Sequence, residues 1–266
     1  MKIFKVTAIA FSLASVFLPR VAARAEKVPN IAPGFALQDM QRLSDEVYVA
    51  RLAPHLWVHT TVGTLPDGTL YAANGMLLEE GDHSILFDVG WTTEQAHTLL
   101  NWARNTLKHP IEKAYVTHFH NDRLGGVPAL EAEHIPVFGT SATLGLATRA
   151  GQPIPDHSIS VPSTPLAVAK DADILFPGAG HTLDNIVVDF PAEHIVFGGC
   201  FVKAANAEGI GNTADADLKA WPDSLKRMQE AFPKTKFAVP GHGPITNDAG
   251  QRTLELLRKG NPTSGS

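Results

Sequence analysis

The alternation of apolar and polar residues predicts strands and helices that are interleaved from residue 47 almost to the C-terminus. The clearest helical spacing begins at a capping residue, Thr92, and extends to Leu107. The predicted strands span residues 47–52, 56–61, 74–80, 84–88, 114–117, 136–138, 173–176, 185–189, 195–198 and 237–239. The other predicted helices span residues 122–133, 141–149, 221–231 and 249–259. We expect residues 26–46 and 153–165 to be irregular.

Short turns join several neighbouring strands, so an all-parallel sheet is not expected. Ala53-Pro54-His55 separates the first two predicted strands as a turn. Residues 62–73 contain the turn sequence Pro66-Asp67-Gly68 and predict a further hairpin. The sequence alone is consistent with an ordinary solvated turn at the tip of this hairpin.

The length and composition are those of a globular protein. The chain has 266 residues, of which 44% are hydrophobic and 18% are charged. This composition is unlike that of disordered proteins, and the length allows a sizeable core. The core could belong to one large domain or to two fused halves.

The N-terminal residues predict a cleaved export signal, residues 1–25, followed by a single domain, residues 26–266. Lys2 and Lys5 form a basic start, residues 6–18 are almost wholly apolar, and Ala23-Arg24-Ala25 offers a cleavage site. The apolar stretch is too short for a membrane anchor, and no later stretch is long enough to span a bilayer. We therefore expect a periplasmic protein without stable membrane anchoring.

Charge and cysteine content narrow the possible partners. The formal net charge is −5, and loss of the four basic residues in the signal would bring it to −9. Such an acidic protein is a poor candidate for nucleic acid or anionic membranes, so we expect a small-molecule partner and a monomeric chain. Cys200 is the only cysteine, which excludes an intrachain disulfide. Its thiol is either buried and inert or held as a thiolate.

The segment Thr117-His118-Phe119-His120-Asn121-Asp122 is rich in metal-binding side chains. Two imidazoles one residue apart are followed two residues later by a carboxylate, at the end of a predicted strand. One histidine near a carboxylate is more often a hydrogen-bonded core residue, but three such side chains within five residues favour a metal site. Asp122 also suits the first turn of the helix that follows, where a negative charge is stabilising.

Three later segments repeat the order of apolar strand, tight turn and metal-binding side chain. The side chains in question are His181, Cys200 and His242, each beside at least one glycine. Taken singly, a loop histidine or a buried core thiol is the commoner interpretation. Together with the first segment they predict a metal centre. Imidazole and thiolate ligands favour zinc over metals that prefer oxygen.

With these motifs the sequence resembles the metallo-β-lactamase superfamily, over nearly the whole mature chain. Within it, the sequence is similar to class B β-lactamases of the di-zinc subclass that has a cysteine ligand. The resemblance implies an α/β fold, an αββα sandwich of two similar halves with the metal site at the edge of the sheets. It also implies two zinc ions, one bound by His118, His120 and His181 and the other by Asp122, Cys200 and His242.

The resemblance further implies hydrolysis of the β-lactam amide bond of penicillins, cephalosporins and carbapenems, which would confer antibiotic resistance. Zinc would activate a water for attack on the lactam carbonyl, and Asp122 would orient that water or relay a proton. Lys203 matches a lysine that pairs with the β-lactam carboxylate, and Asn212 matches an asparagine that polarises the carbonyl. An exposed lysine and a turn asparagine are the ordinary alternatives. Asp88 matches an acid behind the metal ligands.

The hairpin of residues 62–73 matches a flap over the substrate, and its apolar Val62, Leu65 and Tyr71 could cover a hydrophobic group.

Two other functions are open. A thioesterase-like hydrolase of the same fold would carry a histidine after Asp122, where this chain has Arg123. Arg123 and Asn121 lie inside the motif but outside the ligand set, and we expect them to tune the surroundings of the thiolate without a firm role. A periplasmic zinc-binding protein without catalysis would take up zinc but show no turnover.

Overall fold

The computed structural model describes residues 38–245 and 250–260. The predicted signal peptide and the start of the predicted irregular segment lie outside the described residues. None of the helices in the described ranges is long and apolar enough to cross a membrane.

The first half of the chain forms an eight-stranded mixed sheet. In spatial order its strands are β1 (Gln38–Arg42), β2 (Val47–Ala53), β3 (Leu56–Thr64), β4 (Leu70–Glu80), β5 (His83–Phe87), β6 (Ile111–Tyr115), β7 (Val137–Thr140) and β8 (His157–Ile159). Strands β1 to β5 pair antiparallel, whereas β5 to β8 pair parallel. The expectation that the sheet is not all-parallel is confirmed.

The second half forms a five-stranded sheet with the order β13-β12-β11-β10-β9. Its strands are β9 (Leu166–Ala169), β10 (Ala172–Leu175), β11 (Val187–Phe190), β12 (Ile195–Gly199) and β13 (Phe237–Pro240). Only β12 and β13 are parallel neighbours in this sheet as described. Their carboxyl ends therefore reach the same edge.

Six helices accompany the sheets in the described ranges: α1 (Thr93–Trp102), α2 (Asn121–Leu124), α3 (Val127–Ala132), α4 (Ser141–Ala150), α5 (Trp221–Ala231) and α6 (Gln251–Gly260). As predicted, Thr92 caps α1, because its side chain accepts a hydrogen bond from the backbone N of Gln95. A π-helical turn, Ala103–Leu107, continues α1 to the predicted end.

Three predictions of secondary structure are wrong. The single helix expected over residues 122–133 is two helices, because Gly125-Gly126 weakens the helix and Pro128 starts the next one. β1 lies in a segment predicted to be irregular, and so does β8. Both are edge strands without apolar alternation, and pairing with one neighbouring strand makes them extended.

Alternate side chains of the strands supply three apolar layers. Trp57, Leu77 and Leu86 of the first sheet pack with residues of α1 and α3. Their neighbours along the strands face the second sheet, and the layer between the sheets includes Val58, Met76, Phe87, Ile174, Val188 and Phe197. The far side of the second sheet packs on α5 and α6. This confirms the predicted αββα sandwich.

Candidate metal centre

The six predicted metal-binding side chains converge at one edge of the two sheets. The three side chains of the first half of the chain follow β6: two lie in the loop that leads into α2 and the third lies in the first turn of α2. The three side chains of the second half follow β10, β12 and β13, one after each strand. The six side chains are His118, His120 and Asp122 from the first half and His181, Cys200 and His242 from the second. Each half of the molecule thus supplies three of the side chains.

Three of the histidines face one another. The ring centroids of His118, His120 and His181 lie 4.8 to 5.0 Å apart. Nδ1 of His120 is 3.2 Å from Nε2 of His181. Sγ of Cys200 also lies within 4.8 Å of ligand atoms on His118 and His181. The three imidazole rings therefore adjoin one another in pairs. The ligand atoms that lie together within 4.8 Å form two sets, one of His118, His181 and Cys200 and one of His118, His120 and Asp122.

The other three side chains form a second group that meets the first at Cys200. Nε2 of His242 lies 3.2 Å from Oδ2 of Asp122 and 3.1 Å from Sγ of Cys200. Sγ of Cys200 is 3.6 Å from the same carboxylate oxygen. The second group is compact enough for one ligand atom of each residue to bind a single ion.

A hydrogen-bonded chain behind His118 fixes its tautomer. The hydroxyl of Thr117 donates to Oδ2 of Asp88 over 2.9 Å, so it accepts from Nδ1 of His118 over 3.1 Å. Nε2 of His118 keeps its lone pair as a result. Asp88 also accepts from the backbone N of Thr117 over 2.7 Å, as expected for an acid behind the site.

Two other histidines are oriented in the same manner. Nδ1 of His242 donates to the carbonyl of Ala72 over 2.8 Å, which leaves Nε2 for the second group. Nε2 of His120 donates to Oδ2 of Asp215 over 3.0 Å, which leaves Nδ1 for the first group. Sequence reasoning missed Asp215, since it lies 95 residues from His120 and carries no motif.

The loop that carries His181 is held by side chains from its own end and from α5. The carbonyl groups of residues 177–179 accept hydrogen bonds from Arg227 over 2.6 Å, from Asn185 over 2.9 Å and from Ser224 over 2.7 Å. Three consecutive carbonyls are therefore fixed just before the histidine. The loop has little freedom to move His181 away from its partners.

The ends of β12 and β13 approach each other so closely that one position must be glycine. The backbone N of Gly241 donates to the carbonyl of Gly199 over 2.6 Å. A Cβ on Gly241 would lie 2.5 Å from the backbone N of Cys200 and 2.7 Å from its Sγ. This close approach brings His242, the next residue, beside the thiol.

Arg123 is a fully buried cation at the centre of the second group. Its Nη2 lies 2.7 Å from Oδ2 of Asp122 and donates to Sγ of Cys200 over 3.0 Å. Its Nη1 lies 3.1 Å from Oδ2 of Asp88, and further hydrogen bonds go to the carbonyls of Asn74 and Gly241. The sequence indicated only that this residue tunes the surroundings of the thiolate, whereas the structure makes it the counter-ion of three acidic groups.

The charges and burial in the cluster keep Cys200, Asp122 and His118 in metal-binding forms. Burial raises the pKa of the Cys200 thiol, but the positive charges of Arg123 and His242 outweigh burial and hold it well below its usual value. Burial also raises the pKa of Asp122, but the positive charge of Arg123 outweighs burial and the pKa is lowered to about 2. Burial lowers the pKa of His118 to about 3, so its ring is neutral at pH 7. Burial lowers the pKa of His242 as well, but the negative charges of Cys200 and Asp122 outweigh burial and raise the pKa to about 9, so a metal ion would have to displace its proton.

The cluster lines a cavity of about 400 Å³, a volume that suits a small molecule. Lys203 and Asn212 line the same cavity. Nζ of Lys203 lies 5.5 Å from the centre of the Trp221 ring, and burial lowers the pKa of the ammonium group. Asn212 is exposed, and its Oδ1 accepts from the backbone N of Ala214 over 3.1 Å. Both predicted substrate-binding residues thus line the same cavity as five of the predicted metal ligands.

The hairpin predicted over residues 62–73 is formed by β3, β4 and the turn between them. Thr64 pairs with Leu70 at the base of the turn. Leu65 and Tyr71 line the cavity together with Trp91. Val62, in β3, is buried instead and does not line the cavity. We call residues 62–73 the flap.

The residues of the cluster fit zinc in their chemistry. Nε2 of His118 is buried and has no hydrogen bond to any residue in the described ranges. Such an atom is costly to bury unless a cation or a donor binds it. Neutral imidazoles, a thiolate and a carboxylate are the ligands that zinc prefers.

Comparisons of the sequence with known proteins agree with this geometry. The profile of a family described as "Metallo-beta-lactamase superfamily" matches residues 68–242. The chain is 30% identical over 206 residues to "Metallo-beta-lactamase type 2" of Bacteroides fragilis, which covers 77% of this chain and 83% of that protein. It is 32% identical over 231 residues to "Metallo-beta-lactamase type 2" of Pseudomonas aeruginosa, with coverage of 86% and 89%.

Solved structures show the same likeness. The metallo-beta-lactamase FIM-1 from Pseudomonas aeruginosa, in its mono-zinc form, superposes with a TM-score of 0.78 at 33% identity and covers 81% of this chain and 96% of its own. The metallo-beta-lactamase from Pontibacter korlensis superposes with a TM-score of 0.75 at 37% identity, with coverage of 80% and 99%. The two-sheet architecture is therefore shared with proteins of known structure.

Proposed function

This chain belongs to the metallo-β-lactamase superfamily, and from that premise we propose that it is a zinc-dependent hydrolase that opens the amide bond of β-lactams. One observation carries the proposal. Six metal-binding side chains from four segments of the chain converge, and five of them line a cavity of suitable size together with a lysine and an asparagine. Relatives named metallo-beta-lactamase support the same reaction.

We propose two zinc ions per chain. The group of His118, His120 and His181 would hold one ion. The group of Asp122, Cys200 and His242 would hold the other. When bound, zinc supplies a Lewis acid and lowers the pKa of a coordinated water to about 7, so that hydroxide is available at neutral pH.

The chain's own residues would position the substrate and the attacking water. The ionised carboxylate of Asp122 would accept a hydrogen bond from that water and orient it toward the lactam carbonyl. The ammonium group of Lys203 would pair with the substrate carboxylate, and the amide of Asn212 would stabilise negative charge on the carbonyl oxygen. Leu65 and Tyr71 of the flap would cover an apolar substituent and exclude water from it.

The surroundings of Arg123 argue against the thioesterase-like alternative. That type of site needs a metal-binding histidine after Asp122, and here the position is filled by a buried guanidinium paired with Asp88. A zinc-binding protein without catalysis would not need Lys203 and Asn212 beside the cluster. These two side chains therefore support the hydrolase over the storage function.

We further propose that residues 1–25 direct export to the periplasm and that the enzyme confers resistance to penicillins, cephalosporins and carbapenems. Expression of the full chain in a susceptible bacterium tests this. Resistance should appear with the intact chain and disappear when residues 1–25 are deleted. Resistance without residues 1–25 would contradict the export proposal.

A chromogenic cephalosporin and metal analysis test the central proposal together. The purified protein should contain about two zinc ions, hydrolyse the cephalosporin, lose activity with a chelator and regain it with added zinc. Two bound ions with no turnover would favour the zinc-binding alternative. Turnover of a thioester but of no β-lactam would favour the other hydrolase.

A further inference from the structure

The strand that leaves the flap, β4, also holds the loop that carries His242. The carbonyl of Ala72 accepts from Nδ1 of His242 over 2.8 Å. The backbone N of Asn74 donates to the carbonyl of Gly241 over 2.8 Å. The side-chain amide of Asn74 donates to the carbonyls of residues 240 and 243 over 3.0 and 2.8 Å. Asn74 of β4 therefore fixes the backbone on both sides of His242, and Ala72 of the same strand fixes one atom of its ring.

Tyr71 adds a contact to the face of the imidazole. Its ring stacks on that of His242, with centroids 4.3 Å apart and planes 27° apart. On its other side Tyr71 meets Trp91 edge-on, with centroids 6.5 Å apart. Gly63, which pairs with Tyr71 across the hairpin, makes room for the indole, since a Cβ there would lie 2.4 Å from the Trp91 ring. The Tyr71 ring is thus held between Trp91 and His242.

We propose that Tyr71 is a positioning residue for the ion bound by Asp122, Cys200 and His242, which we call the second ion. One hydrogen bond at Nδ1 fixes a point of the His242 ring but leaves the ring plane free to tilt. Stacking against Tyr71 restricts that tilt, so Nε2 stays directed at the carboxylate and the thiol. The identity of the ion rests on the proposed function, whereas the stacking does not.

This role couples the flap to the metal centre. Tyr71 belongs to the flap and stacks on His242, which is a predicted ligand of the second ion. It also lines the cavity where substrate would bind. A flap movement that carries Tyr71 away would loosen one ligand of the second ion and none of the three histidines of the first group. By reciprocity, the second ion would favour the flap position seen in the structure.

The exposure of Tyr71 makes a clean substitution possible. Its side chain is 40% exposed, so truncation removes little of the core. Leu70, the preceding flap residue, is 65% exposed and is the matched control. It has no aromatic ring to stack on His242, and it is not among the residues that line the cavity. Tyr71→Phe keeps the ring, Tyr71→Ala removes it, and Tyr71→Leu keeps apolar volume without an aromatic face.

Cobalt titration of the metal-free protein tests the proposal without any turnover. Co²⁺ bound to a thiolate gives a charge-transfer band, which reports on Cys200, while the ligand-field bands report on both ions. We expect Tyr71→Ala and Tyr71→Leu to weaken the affinity of the Cys200-linked ion about tenfold, as for other residues that orient metal ligands. Tyr71→Phe and Leu70→Ala should stay within about twofold of wild type, as should the affinity of the other ion.

Wild-type affinity in Tyr71→Leu would overturn the proposal, and so would equal weakening by Tyr71→Phe or Leu70→Ala. Should Tyr71→Ala fold poorly, the comparison of Tyr71→Leu with Tyr71→Phe decides the matter alone. A failure of the proposed function can be told apart from a failure of this proposal. If the wild-type protein hydrolyses no β-lactam, the cobalt affinities of the variants can still be measured, and they still support or overturn the role of Tyr71.

Discussion

Replacement of Arg123 by methionine tests whether the buried guanidinium stabilises the acidic groups around it. Arg123 is fully buried and contacts Asp88, Asp122 and Cys200 at 3.1, 2.7 and 3.0 Å. Methionine has a similar length and fills much of the space but carries no charge. The variant therefore leaves two carboxyl groups and a thiol in the interior without their shared cation.

The expected effect is large in the metal-free protein. Removal of one partner from a buried ion pair costs about 3–5 kcal/mol of unfolding free energy. Because Arg123 has three acidic partners, we expect a loss of unfolding free energy near the upper end of this range. Asp88 limits the loss, because burial already raises its pKa to about 7 and its carboxyl group can take up a proton. We expect a loss of about 4 kcal/mol. Saturating zinc should reduce the difference from wild type, because a bound cation replaces part of the lost charge.

Urea unfolding of metal-free and zinc-saturated protein measures both effects. Arg104→Met is the matched control, because Arg104 pairs with Glu133 at the surface and an exposed pair contributes at most about 1 kcal/mol. A loss below about 1 kcal/mol in metal-free Arg123→Met would refute the reasoning. So would a difference that does not shrink when zinc is added.

Three further predictions concern other parts of the molecule. Cys200→Ser should lose the second ion and retain the first in metal analysis, and equal loss of both ions would contradict the proposed ligand sets. Lys203→Ala should raise KM about tenfold or more with kcat little changed, because it removes a charged hydrogen bond to substrate, and a fall in kcat alone would contradict that role. Asp189 lies opposite Asp173 in β11 and β10, and burial followed by that like charge raises the pKa of Asp189 from 3.8 to about 7. The folded state therefore binds the proton more tightly than the unfolded chain, so stability should fall as the pH rises from 3.8 to about 7 and stay level above that. Asp189→Asn should remove this fall in urea unfolding compared at about pH 5 and about pH 8.5.

The order of strands and helices and the candidate metal-binding side chains could be predicted because they leave local signals, whereas the αββα architecture and the two ligand sets were implied by the resemblance to the superfamily. The candidate side chains follow apolar strands, and glycines mark most of the turns there. The mixed pairing followed from the short turns between strands. Each signal lies within one short stretch of the chain, so it could be recognised without knowledge of distant contacts.

The supporting residues could not be predicted, because their partners are distant in the sequence. Arg123 meets Cys200 across 77 positions, and His120 meets Asp215 across 95. The contact between His242 and β4 spans 170 positions. An arginine inside a motif, an exposed aspartate and a hairpin tyrosine are common surface features, and only the docking of the two sheets gives them these partners.

The supply of ligands from both halves has a consequence for the lifetime of the protein. Each proposed ion would fasten the two sheets together, since the donors on either side of it belong to different halves of the chain. An ion present at a hundred times its dissociation constant adds about 2.7 kcal/mol to the stability of the folded form. Without zinc the protein would therefore lose more than turnover, because the chain would open more often along the contact between its two halves and would be cleaved sooner by proteases.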